Sequence, residues 1–230
     1  MVKNLFFVLL AGIILGGCSP IYIPNAPMVF NNEKQGDYEV NYRQGIYSSN
    51  LQGGYAVTDN LNIGLSASSL YSAESGVGNT VYPGSKALEA NLVAGYYNKF
   101  TSKNLFEMNM GLGSVFMTEP ENVKDYYKFY AQPTLTFLGN EGRTDTDFSM
   151  IAKVVGTSLT INEGAKDTTV FQGYFEPVLS FSVGNPLRFN TQMGVSIRFQ
   201  ENYFNRYSQF IFNMGIGYTL PRKREKAILP

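Results

Sequence analysis

Hydrophobic and polar residues alternate one for one along most of this chain. From Leu187 to Gln200 one face reads Leu187, Phe189, Thr191, Met193, Val195, Ile197 and Phe199, and the other reads Arg188, Asn190, Gln192, Gly194, Ser196, Arg198 and Gln200. Phe106, Met108, Met110 and Leu112 oppose Glu107, Asn109, Gly111 and Gly113 in the same way. A period of two marks a strand whose two faces meet different surroundings, and no stripe of helical period competes with it beyond the first residues. The pattern predicts about ten strands, over 37–45, 49–58, 61–71, 87–98, 104–117, 127–139, 146–160, 169–183, 187–199 and 207–220. Several are longer than the strands of an ordinary soluble sheet and suit a tilted crossing of a bilayer.

The connections alternate as well. Asp59-Asn60 and the stretches 99–103, 140–145 and 184–186 are short or turn-like, whereas 72–86, 118–126, 161–168 and 201–206 are mostly longer. Short turns at one end and long loops at the other predict an all-β fold, a closed antiparallel up-and-down transmembrane barrel over 37–220, with eight strands as the alternative to ten. The turns would then be periplasmic, and an even strand count returns both ends of the barrel to that side.

Alternation alone does not say which face meets lipid, because a lipocalin-like soluble barrel turns its apolar face inward. The polar face carries Glu39, Arg43, Glu89, Glu107, Lys128, Lys153, Glu176, Arg188 and Arg198, a charge network of mixed sign that suits a narrow lumen. It also carries Gly54, Gly64, Gly95, Gly111, Gly113, Gly194, Gly215 and Gly217, which weaken an exposed strand but give room inside a crowded barrel. Tyr71, Tyr96, Tyr97, Phe116, Tyr126, Tyr127, Tyr203, Phe204, Tyr207 and Tyr218 lie near strand ends and are candidates for interfacial girdles, although the chain has no Trp.

The first residues follow a different pattern. Lys3 precedes an apolar run from Leu5 to Leu15, too short for a helical span, and Leu15-Gly16-Gly17-Cys18 follows it. This resembles a lipoprotein signal peptide, residues 1–17, with acylation at Cys18, the only cysteine of the chain. A single cysteine forms no disulfide within the chain, so it calls for another role. Ser19 rather than Asp follows it, which by resemblance to the usual sorting rule implies the outer membrane, with the acyl chains (palmitate among them) in the inner leaflet. Residues 18–36, with Pro20, Pro24 and Pro27, are expected to form an extended, acylated N-terminal tether.

At the other end, Asn213-Met214-Gly215-Ile216-Gly217-Tyr218-Thr219-Leu220 resembles the signal read by the barrel-insertion machinery, which would be a partner during assembly. The chain continues past it into a basic tail, 221–230, with Arg222, Lys223, Arg224 and Lys226 available to a periplasmic partner. Overall the chain resembles the small outer-membrane β-barrel lipoproteins of Bacteroidetes-type bacteria. The resemblance is carried by Cys18-Ser19-Pro20-Ile21-Tyr22-Ile23-Pro24-Asn25-Ala26-Pro27 and by Leu51-Gln52-Gly53-Gly54-Tyr55-Ala56-Val57-Thr58-Asp59-Asn60-Leu61. It implies location and fold, not an activity.

Little chemistry is on offer. The chain has no His, so imidazole metal sites and Ser-His or Asp-His catalysis are excluded, and acylation removes the one thiol. No cofactor, metal or enzymatic activity is expected. Formal charge is balanced, which gives nucleic acid no whole-molecule field. The expectation is a lipid-anchored outer-membrane barrel with a structural or interaction role, in contact with outer-membrane lipid. A narrow pore for small solutes and a lipid-tethered lipocalin-like carrier are the alternatives. In the first case the lumenal charges pair into a plug, and in the second they form a filter.

Overall fold

The computed structural model describes residues 22–30, 35–71, 75–77, 80–82, 86–101, 103–119, 124–139, 145–162, 167–199 and 209–220. The leader, Cys18, the 221–230 tail and the candidate girdle residues Tyr203, Phe204 and Tyr207 lie outside them. The strands are β1 (Tyr38–Gly45), β2 (Ser48–Ala56), β3 (Leu61–Tyr71), β4 (Ser75–Val77), β5 (Thr80–Tyr82), β6 (Lys86–Thr101), β7 (Asn104–Glu119), β8 (Tyr126–Gly139), β9 (Thr146–Asn162), β10 (Asp167–Val183), β11 (Leu187–Val195), β12 (Ile197–Arg198) and β13 (Phe210–Leu220). Every pairing is antiparallel, and β13 pairs with both β11 and β1, so the sheet closes on itself with no free edge. The short β12 continues β11 past Ser196 on the same neighbour, β10, so the wall is a barrel of ten strands. All ten expected wall strands are present, within a few residues of their expected bounds. The expected 72–86 loop contains the additional hairpin β4–β5.

The two ends differ. β1 and β13 bring Tyr38 and Leu220 together at one end, which also carries the tight connections after Ala56, Thr101, Gly139 and Val183. Gly184, with φ +116°, makes the last of these, beside the cis peptide Asn185–Pro186. This is the turn end. At the loop end lie the two longest connections, 72–85 with its hairpin and 199–209, together with shorter ones between β1 and β2, between β7 and β8 and between β9 and β10. Followed once round through its registers, the ladder returns to β1 displaced by about 12 residues, so the strands tilt steeply against the axis.

The alternation read from the sequence sorts outside from inside. Leu65, Leu92, Met110, Leu112, Phe189 and Met214 all point outward, Leu112 with 67% of its surface exposed. Glu39, Arg43, Glu89, Glu107, Lys128, Lys153 and Glu176 point inward, none more than 3% exposed. Water-soluble domains have the reverse distribution, because burying charge is costly and exposing apolar area to water forgoes the hydrophobic gain. Tyr96, Phe116, Tyr127 and Tyr218 are on the outer face near strand ends, whereas Tyr97 and Tyr126 depart from the girdle expected of them. Those two occupy inward positions in the alternation and are almost fully buried.

The other departure is larger. Residues 22–30, expected as a tether, are extended as their prolines require, but they run through the lumen and are buried at every position.

Candidate functional site

The only site-like concentration of polar groups among the described residues is this occupied lumen. Pro24 and Pro27 supply no N–H, so the threaded segment is rich in carbonyl acceptors and poor in donors. The wall supplies what it lacks. Gln52 Nε2 donates to the Ala26 carbonyl at 2.9 Å. Arg43 Nη1 and Gln192 Nε2 both donate to the Pro27 carbonyl at 3.2 Å, and Asn109 Nδ2 and Gln132 Nε2 to that of Met28 at 3.2 and 2.6 Å. In return the Phe30 amide donates to Glu107 Oε1 at 3.2 Å and the Ala26 amide to Asn50 Oδ1 at 3.4 Å.

Side chains of the segment fill the remaining space. Ile23 packs against Leu70, Ala87, Val115, Tyr126 and Leu159 near the loop end. Tyr22 stacks on Tyr174 with ring centroids 3.8 Å apart, and Met28 and Phe30 join Val93, Tyr130 and Val155. A Cβ on Gly64 would stand 2.8 Å from both Met28 Cε and Phe30 Cζ, so a side chain here requires those two residues of the segment to shift. A Cβ on Gly95 would meet the Asn109 amide first, with the Phe30 ring at 3.4 Å.

The charges form one clasp about Asn25. Lys128 pairs with Glu89, and Lys153 pairs with Glu176 at 3.0 Å. Asn25 joins the two pairs, its Nδ2 donating to Glu89 Oε1 at 2.7 Å while its Oδ1 accepts from Lys153 Nζ at 2.8 Å. The Tyr22 hydroxyl donates to Glu176 Oε1 at 2.6 Å, Ser196 Oγ donates to the same oxygen at 3.3 Å, and Lys153 Nζ lies 5.1 Å from the Tyr130 ring centroid. Ions removed from water in this way persist only when paired and hydrogen-bonded, a condition the clasp meets at Glu89, Lys153 and Glu176.

The sequence-derived network is therefore distributed rather than a single cluster. Glu89, Lys128, Lys153 and Glu176 meet in the clasp. Arg43 bonds Gln52, Asn190 Oδ1 at 2.8 Å and the threaded chain. Glu39 accepts from Asn41 at 2.5 Å, and Glu107 holds the Phe30 amide. Arg188 stands apart near the turn end, paired with Asp147 and 4.0 Å from Asp145. Arg198 is half-buried toward the loop end. Sequence reasoning placed Gln192 on the polar face but missed Asp147, Asn25 and Gln132 as parts of the lumen. Asp147 and Gln132 occupy inward positions of expected strands and could have been found by extending the polar face along every strand.

Among the described residues, little space is left beside the threaded segment. A void of about 10 Å³, lined by residues including Val29, Arg43, Ser182 and Arg188, is at most the size needed for one water. The larger hollows, with residues such as Leu65, Leu92 and Leu112 in one and Phe106, Leu135 and Met193 in the other, open on the outer wall.

No protein-family model and no curated protein matches the chain. Among solved structures it is similar to the KdgM porin, alone and in complex with disordered oligogalacturonate. Identity is 10% over 80% of this chain and 99% of the other, with TM-scores of 0.36 and 0.38. It is also similar to LpxR from Salmonella typhimurium, at 9% identity over the same shares and a TM-score of 0.40. Likeness of this degree transfers no activity, and the barrel described above rests on its own registers.

Proposed function

We propose that the chain is a non-catalytic outer-membrane β-barrel, lipid-anchored through Cys18, with a structural or interaction role and a lumen permanently occupied by its own residues 22–30. The observation that carries this reading is the inversion of the wall together with the filled interior. Leucine, methionine and phenylalanine cover the outside, and ion pairs and amides inside are engaged by the chain itself. A lipocalin-like carrier needs an apolar cup, and this interior is polar and full. A pore needs a water path, and the segment lies along it. The lumenal carboxylates of Glu89, Glu176 and Glu107 are engaged by Asn25, Tyr22 and the Phe30 amide. The loops would meet partners at one end and the basic tail at the other.

Three measurements on the full-length protein test this. It should resist carbonate extraction from membranes and show heat-modifiable migration in gels, whereas a soluble carrier would do neither. Radiolabelled palmitate should enter the wild-type chain and not Cys18→Ala. In planar bilayers the intact protein should be silent, and deletion of 22–30 should produce conductance. Steady conductance by the intact protein would establish the pore reading instead.

A further inference from the structure

The direction in which the threaded segment runs decides the end by which the preceding residues leave. Ile23 packs on Leu70, Ala87, Tyr126 and Leu159, all close to the loop end of their strands. Phe30 lies toward the other end, its amide on Glu107 and its ring over Gly64, both near the turn-end starts of β7 and β3. The chain therefore descends from loops to turns and then reverses to begin β1 at Tyr38.

The distances are restrictive. The Tyr22 hydroxyl bonds Glu176 while its ring stacks on Tyr174, and Ile23 packs among loop-end residues. The Tyr22 backbone therefore lies on the loop side of Glu176, from which β10 continues to Val183 before it turns. That stretch covers roughly 23 Å along the strand and still ~17 Å along the axis at a usual tilt of ~40°. Cys18 precedes Tyr22 by four residues, which reach ~14 Å at full extension. The path downward is also filled by residues 23–30, and the closed wall offers no lateral exit.

We infer that Cys18 emerges at the loop end and that its acyl chains enter the leaflet on that side, opposite the end where β1 begins and β13 stops. With the turns periplasmic, this is the outer leaflet, so the protein is a surface-anchored lipoprotein threaded through its own barrel. The inference rests on the acylation and location proposed above. It replaces the inner-leaflet anchor expected from the sequence, which assumed that residues 18–36 hang outside the barrel.

Single-thiol labelling of whole cells with a membrane-impermeant maleimide tests it. Pro20→Cys reports the emerging end, Glu163→Cys the loop side and Glu225→Cys the turn side, each in the full-length chain. Pro20→Cys should label on intact cells as fully as Glu163→Cys, while Glu225→Cys labels only after permeabilisation. If Pro20→Cys instead labels together with Glu225→Cys, the threading direction is wrong and the inference fails. The unsubstituted chain separates the two readings: an acylated Cys18 has no thiol to label, so labelling there overturns the anchor while Pro20→Cys, made in a Cys18→Ala background, still reads the threading. A heat-modifiability check on each variant ensures that labelling reports a folded barrel, and mass spectrometry of the N-terminal peptide of the native chain, which needs no substitution, identifies the acyl group.

Discussion

Asn25 is the residue on which the interior most depends. Its amide satisfies a buried carboxylate and a buried ammonium at once, and so joins the two ion pairs. Asn25→Leu keeps the approximate volume and removes both bonds, leaving Glu89 and Lys153 each short of a partner. An unsatisfied buried polar group costs about 1–3 kcal/mol, so a loss of about 2–4 kcal/mol is expected. Denaturant titration followed by the shift between folded and unfolded gel bands measures it. The charged members of this clasp are visible in the sequence because they fall on the polar side of an alternating strand. Asn25 is not, because it lies in a proline-containing stretch whose partners are 64 and 128 residues away. One signal was nevertheless there: Ile21, Tyr22, Ile23, Met28, Val29 and Phe30 make the supposed tether too apolar to be left in water.

At the scale of elements, the wall was legible and the threaded segment was not, for a physical reason. A strand in a barrel repeats one local rule along its length, and that rule is written in consecutive residues. The threaded segment follows no period, since its carbonyls are met by side chains from separate strands (Arg43, Gln52, Asn109, Gln132 and Gln192) rather than by a backbone ladder. Its retention therefore depends on fit as much as on hydrogen bonds. Gly64→Ile places a branched side chain where Met28 and Phe30 now lie and should displace the lower part of the segment. The expected outcome is intermittent conductance in planar bilayers from a protein that is silent when unaltered. Gly53→Ala is the control, because a Cβ there meets only the Glu39 carbonyl at 3.9 Å, an ordinary contact. If Gly64→Ile gives a barrel as silent as Gly53→Ala, the segment is held far more firmly than its packing implies.

For the whole molecule, the decisive quantity is what surrounds the outer wall, and the same substitution at two heights reads it. Leu112 is outward-facing near the middle of β7, and Phe100 is outward-facing at the turn end of β6, with 55% of its surface exposed. In a bilayer, an arginine near the midplane costs about 2–4 kcal/mol, and one near the interface about 0–1 kcal/mol, because a short reach brings the guanidinium to water. Leu112→Arg should therefore lower stability in lipid vesicles by several times as much as Phe100→Arg, measured by urea titration of vesicle-inserted protein. A barrel in water predicts the opposite ranking in kind: both sites would be solvated, and exchanging an exposed apolar side chain for a charged one would be neutral or favourable at each. The comparison does not depend on the lumen, the anchor or the loops, since neither side chain reaches the interior. A steep dependence on height would mean that the surface of leucine and methionine is in contact with hydrocarbon, and only in that setting does a polar interior filled by the chain's own first residues amount to a stable fold rather than an inverted one.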